Sequence, residues 1–114
     1  MTAFEPGDVV LVRFPFTDLT AVKKRPALIV SPSDFLKRNG DVVIVALTGQ
    51  PQTEPDAALQ DWQSAGLLKP TWLKPLIGTV DASVVERRFG RLSSADHRRV
   101  AAALRSLISP AFLA

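Results

Sequence analysis

Residues 6 to 15, PGDVVLVRFP, open on a turn-forming Pro6–Gly7 pair, close on Pro15, and enclose a run of β-branched and apolar side chains. In an extended chain Val10, Val12 and Phe14 fall on one side and Val9, Leu11 and Arg13 on the other, so the stretch reads as a strand. Pro15 ends its ladder, and PFTDLTAVKKR (15–25) reads as a loop before a second strand, PALIVS (26–31), whose unbroken apolar character predicts cover on both faces. NGD at 39–41 reads as a turn, and VVIVALT (42–48) as a third strand. Three short strands with turn punctuation predict a mainly β fold, a small barrel.

Farther along, GQPQTEPDAA (49–58) reads as a long loop. DWQSAGLLKPTWLKPLIG (61–78) mixes turn signals with short apolar pieces and predicts a hairpin near Ser64 to Gly66, with strands around 67–73 and 77–81. VVERRFGRL (84–92) fits either a further strand or a short helical turn. From Ser93 the period changes. Ser93 with Asp96 resembles a capping box, Val100, Leu104, Leu107 and Ile108 share a helical face, and Pro110 lies beyond the end. This C-terminal helix should pack on the barrel and leave Arg98, Arg99 and Arg105 solvated. Trp62 and Trp72 are expected to be structural anchors, and His97 to be solvated.

With 114 residues, the chain is expected to form one domain over 1–114. A net charge of +3 is compatible with a polyanionic partner without identifying one. The absence of cysteine rules out disulfides and thiolate metal sites, and a single histidine removes most zinc chemistry. Glu54, Asp56 and Asp61 form no compact metal-ligand pattern, so neither a metal nor a cofactor is expected. The N-terminus has no leader-like pattern and no apolar run approaches the ~18 residues that span a bilayer, so the expectation is a soluble, cytoplasmic protein with no membrane partner.

KKRPALIVSP (23–32) contains the only run of three cations in the chain, set against a proline at the mouth of an apolar strand. Together with PGDVVLVRFPFTDL and VVIVALTG, in this order and spacing, it resembles the PemK/MazF family of toxin ribonucleases from bacterial toxin–antitoxin pairs. The likeness continues more loosely through DWQSAGLLKPTWLKP and VVERRFGRLS. It implies an SH3-like β-barrel with a C-terminal helix, a homodimer, and a cognate antitoxin that occludes the RNA site. By position, it assigns the family's catalytic pair to Arg25 and Thr48. It also implies that the loop from Phe16 to Lys24, with Phe16, Thr17, Lys23 and Lys24, helps to cover RNA, and that Lys69 and Lys74 lie near the RNA groove. One departure is the segment LKPLIG (73–78), where some members carry a catalytic acid or arginine; no carboxylate stands there.

Cleavage of single-stranded RNA by its own 2′-hydroxyl requires removal of a proton, stabilisation of negative charge on the phosphoryl oxygens, and protonation of the departing 5′-oxygen. The guanidinium of Arg25 can make two charge-assisted hydrogen bonds to a phosphate, and the Thr48 hydroxyl can act as a second preorganised donor. Arginine is a poor base at neutral pH, which leaves Asp18 in the loop or water for that role, with Arg25 as the charge stabiliser and a candidate donor to the leaving oxygen. The expected activity is a metal-independent endoribonuclease, an mRNA interferase, leaving 2′,3′-cyclic phosphate and 5′-hydroxyl ends. Two other functions fit the same fold: a gyrase-binding toxin that cleaves nothing, against which the lack of a tryptophan near the C-terminus argues, and an inactive nucleic-acid-binding module.

Overall fold

The computed structural model describes residues 4–14 and 23–113. Five antiparallel strands form one sheet: β1 (Asp8–Phe14), β2 (Lys23–Ile29), β3 (Asp41–Thr48), β4 (Trp72–Asp81) and β5 (Val85–Arg91), in the order β4-β3-β2-β1-β5. Helix α1 (Ser33–Asn39) joins β2 to β3, while α2 (Ser94–Leu107) and the four-residue α3 (Pro110–Leu113) follow the sheet. The mainly β class with a C-terminal helix agrees with the sequence reading. The sheet is open rather than closed, because β4 and β5 stand at opposite edges among the described residues, so the barrel is only loosely realised. No helix among the described residues is long and apolar enough to cross a membrane.

Alternation along the strands sorts the apolar residues into two cores, one on each sheet face. Val10, Val12, Ala27, Ile29, Val42 and Ile44 bury one side, joined by Phe4, Val80 and Val85 and flanked by Leu36 of α1. Val9, Leu28, Val45, Leu47 and Leu73 bury the other, against Val100 and Ala103 of α2 and against Ala57, Leu59 and Ala65 of the long connection. The expectation that β2 is covered on both faces therefore holds. Trp62 and Trp72 pack against the second core, as expected of anchors.

Two expectations change, one helix is added and one open alternative is decided. β2 begins at Lys23, so the three cations are the start of the strand and not the end of a loop. The segment before NGD is helical: α1 closes with the Gly40 N–H donating to the Leu36 carbonyl at 2.8 Å. In place of a hairpin with strands at 67–73 and 77–81, there is a turn at 62–66 and then the single ten-residue β4. Pro75 does not divide β4, because β4 is an edge strand and its pairing with β3 is irregular between Val45 and Leu47, where a missing N–H is tolerated. VVERRFGRL resolves into β5, preceded by a 3-10 turn at Ala82–Val84. The Ser83 N–H donates to the Asp81 carboxylate at 2.8 Å and, with the Ser83 side chain, holds that carboxyl below the usual carboxylate range.

Helix α2 fastens the long connection that carries part of the candidate site. The Ser93 hydroxyl accepts from the Asp96 N–H at 3.1 Å, which is one half of a capping box. The other half is absent, because the buried Asp96 carboxylate instead accepts from the Gln60 and Asp61 N–H groups, each at 2.8 Å. The apolar stripe of α2 runs through Val100, Ala103 and Leu104, and Ile108 is exposed beyond the helix end. Arg98 and Arg105 are solvated as expected. Arg99 is not, since its Nε donates to the Ala58 carbonyl at 3.2 Å and its guanidinium pairs with Asp56 at 3.8 Å.

Replacing Asp96 by alanine strands two amide donors that have no other described partner. Hydrogen bonds to a charged acceptor contribute ~1.5–3 kcal/mol each, so Asp96→Ala should lower unfolding free energy by about 3 kcal/mol in urea denaturation, with Asp96→Asn recovering part of the loss.

Candidate RNA-binding cleft

The register of β2 against β3 explains where the chain leaves an opening. Ile29 pairs with Ile44, Leu28 with Val45 and Ala27 with Ala46, and there the pairing stops. Backbone groups along β2 point alternately to its two neighbours. The Val30 N–H donates to the Val43 carbonyl at 3.0 Å, toward β3, while the Ile29 carbonyl accepts from the Gly7 N–H at 2.9 Å, on the other side. By the same alternation Leu28 and then Pro26 face β3. Pro26 has no N–H to give, so the ladder ends at its neighbour and the strands part. Toward β1 the proline is harmless, and its pairing with Leu11 continues through Arg25, Lys24 and Lys23.

A cleft of about 590 Å³ occupies this fork. Lys23 and Arg25 line it from β2, and Thr48, Gly49 and Gln50 from the end of β3. Extending the register one same-face step beyond Ala27 and Ala46 would set Arg25 across from Thr48, and both residues do line the cleft. Thr48 ends its strand in a tight turn, where its hydroxyl oxygen accepts from the Gln50 N–H at 3.1 Å. A hydroxyl has one proton and two lone pairs, so this bond fixes the oxygen while leaving the proton to donate.

The connection from 66 to 71 forms another wall. At Gly66, φ is +88°, and a Cβ there would run into the carbonyl oxygen of Phe89 in β5, so the backbone approach that seats this wall requires glycine. Beyond it, Leu68 stands 97% exposed at the cleft, and Lys69 lies across Gly49. The Thr71 hydroxyl donates to the Lys69 carbonyl at 2.9 Å and fixes the backbone from which that lysine springs. Lys74 lines the cleft from β4.

Charge is strongly segregated. Of the chain's 14 Lys and Arg, four (Lys23, Arg25, Lys69 and Lys74) line the cleft, and none of its 11 Asp and Glu does among the described residues. Elsewhere six cations are paired, Arg13 and Lys24 with Glu86, Arg38 with Asp34, Arg88 and Arg91 with the buried Asp8, and Arg99 with Asp56, while Lys37, Arg87, Arg98 and Arg105 make no described ion pair. An anion entering the cleft meets unneutralised positive charge, a tight-turn hydroxyl and apolar rims at Leu68 and Leu76. No three of the described His, Asp and Glu side chains are grouped so as to hold a metal ion.

The structure thus brings together Arg25, Thr48, Lys23, Lys69 and Lys74. It does not bring Lys24 with them: one residue along β2 reverses the face, and its ammonium sits 3.1 Å from Glu86. Phe16, Thr17 and Asp18 lie outside the described residues. Sequence reading missed Gly49, Gln50 and Phe89 as cleft residues. Phe89 carries the Arg87 guanidinium over its ring at 5.0 Å, and nothing in the order of VVERRFGRL signals that this aromatic faces a cleft formed by other strands.

The model of the PemK-like, MazF-like toxins of type II toxin–antitoxin systems matches residues 5–108. The chain belongs to this family. Among solved structures, an endoribonuclease from Mycobacterial species is 26% identical with a TM-score of 0.73, over 94% of this chain and 92% of that one. An endoribonuclease in complex with its cognate antitoxin, also from Mycobacterial species, is 21% identical with a TM-score of 0.70, over 94% of both chains. MazF from Deinococcus radiodurans is 20% identical with a TM-score of 0.74, over 94% of this chain and 97% of that one. No match to a curated protein was found by sequence. The resemblance drawn from the three quoted segments is thereby borne out over nearly the whole chain.

Because Lys23 faces the cleft and Lys24 faces Glu86, the two lysines should separate in binding. With an all-2′-deoxy oligonucleotide as an uncleavable polyanion, Lys23→Ala should weaken binding and reduce the slope of log affinity against log salt by about 0.7, the value for one contact on a single strand. Lys24→Ala should leave both quantities unchanged in a fluorescence-anisotropy titration.

Proposed function

We propose that this chain is a toxin endoribonuclease that cuts single-stranded RNA by attack of the 2′-hydroxyl on the adjacent phosphorus, leaving a 2′,3′-cyclic phosphate and a 5′-hydroxyl. The observation that carries the reading is the cleft itself, with four cations and no described carboxylate around a register that converges on Arg25 and Thr48. Membership of the toxin family and likeness to a mycobacterial endoribonuclease support it.

In this mechanism Arg25 grips the non-bridging oxygens with its planar guanidinium, and the Thr48 hydroxyl donates to the same group. Both are preorganised, one by a strand paired to β1 and the other by the Gln50 amide. Their value lies in meeting the additional negative charge of the pentacoordinate transition state more strongly than the diester. Lys23 and Lys74 hold neighbouring phosphates, and the exposed Leu68 and Leu76 offer apolar surface to bases. The proton of the 2′-hydroxyl leaves to water or to Asp18. The toxin acts as a homodimer, and a cognate antitoxin restrains it, the latter by analogy with the antitoxin complex of the mycobacterial endoribonuclease.

Purified protein incubated with a long unstructured RNA in excess chelator should yield discrete fragments with cyclic phosphate and 5′-hydroxyl ends. Arg25→Ala and Thr48→Ala should each slow cleavage at least ~10²-fold, the loss typical of a preorganised donor to developing charge. A single 2′-deoxy substitution at the cleaved linkage should abolish it. Intact RNA with wild type, coupled with inhibition of a gyrase assay, would favour the non-nucleolytic reading.

A further inference from the structure

The attack forms the 2′-oxygen–phosphorus bond and breaks the phosphorus–5′-oxygen bond, and the departing oxygen leaves readily only if a proton reaches it. Among the described residues, no histidine, aspartate or glutamate lines the cleft. A guanidinium is a weaker acid than an ammonium, which suits an arginine better to charge stabilisation than to proton donation. The remaining nitrogen acids are three ammonium groups, on Lys23, Lys69 and Lys74.

Of the three, Lys69 is the one whose atoms lie nearest to the turn at Gly49. Lys69 crosses over Gly49 so closely that a Cβ at that position would stand 2.7 Å from its Cε and 2.9 Å from its Nζ. Gly49 is the residue after Thr48, so the ammonium rests beside the turn that follows Thr48, a residue that lines the same cleft. The lysine is held there from behind by the Thr71 hydroxyl on its carbonyl, by Pro70, and by the glycine-dependent seat of the 66–71 wall on β5. No described carboxylate pairs with it. Arg25 approaches from the opposite prong of the fork.

We propose that Lys69 is the general acid of the reaction, delivering the Nζ proton to the 5′-oxygen as its bond to phosphorus breaks, and that the bare Gly49 is what lets it reach that oxygen. This rests on the ribonuclease reading above. The neutral amine left behind takes a proton from solvent before the next turnover, and the 2′-hydroxyl proton leaves separately, so protons balance.

The test uses two RNAs of one sequence, each with a single cleavable linkage at a site mapped with wild-type protein. One carries the native 5′-oxygen; the other carries a bridging 5′-sulfur, which leaves without needing a proton. Lys69→Ala should slow the oxygen substrate ~10²-fold or more, the usual contribution of a positioned acid, and the sulfur substrate by a far smaller factor. Lys69→Arg, which keeps the charge on a weaker acid, should fail to rescue. Gly49→Ala, which displaces the end of Lys69 without removing it, should show the same selective loss to a lesser degree. Arg25→Ala should slow both substrates alike. Equal losses on both substrates for Lys69→Ala, or full rescue by Lys69→Arg, overturn the assignment and leave Lys69 as a phosphate grip. Failure of the wild type to cut either RNA defeats the ribonuclease reading beneath it.

Discussion

One missing amide hydrogen organises this molecule. Pro26 stands where β2 should next bond to β3, and it has nothing to donate. The two strands are held together through Ala27 and Ala46 and are released beyond them, while β2 stays paired to β1 and β3 stays paired to β4. A fork between two anchored strands is a rigid opening, with each prong backed by a neighbour. The residues that follow the last pair on the shared face are Arg25 and Thr48, so register and proline together decide which residues border the opening.

The rest of the fold can be read as support for that opening. The buried Asp96 of α2 grips Gln60 and Asp61, and the connection they belong to ends in the wall that carries Leu68 and Lys69. Asp8, buried at the start of β1, holds Arg88 and Arg91 at 3.6 and 3.5 Å and so ties β5, with Phe89, to the sheet. These pairs also neutralise two cations outside the cleft, whereas the four cations of the cleft have no described carboxylate beside them. Long-range attraction then favours the fork over the remaining surface.

Much of this was legible in the sequence, and the failures have physical causes. β1 and β3 are continuous β-branched runs and read directly as strands, whereas the division of the apolar residues into two cores appears only once the strands are assembled into one sheet. Helix α1 escapes because seven residues are too few to display a helical period beside the stronger turn signal of NGD. β4 reads as two pieces, around 67–73 and 77–81, because turn signals mix there with short apolar runs, and the sequence does not reveal that the strand lies at an edge, where Pro75 is tolerated. Lys23 and Lys24 look alike in a cationic run, and only the strand that contains them sends one to the cleft and the other to Glu86. Gly49 carried no signal at all, since its significance is the space that a lysine twenty residues later occupies.

The central claim is that Arg25 and Thr48 act on one phosphate as a unit. A double-mutant cycle on the single-turnover rate of RNA cleavage measures this directly, using Arg25→Ala, Thr48→Ala and the two combined. Residues that act together lose most of the shared benefit with the first removal, so the combined variant should be little slower than the worse single one. If the two losses instead multiply in full, the guanidinium and the hydroxyl serve separate steps or separate groups, and the account of the fork as a single phosphate grip is wrong.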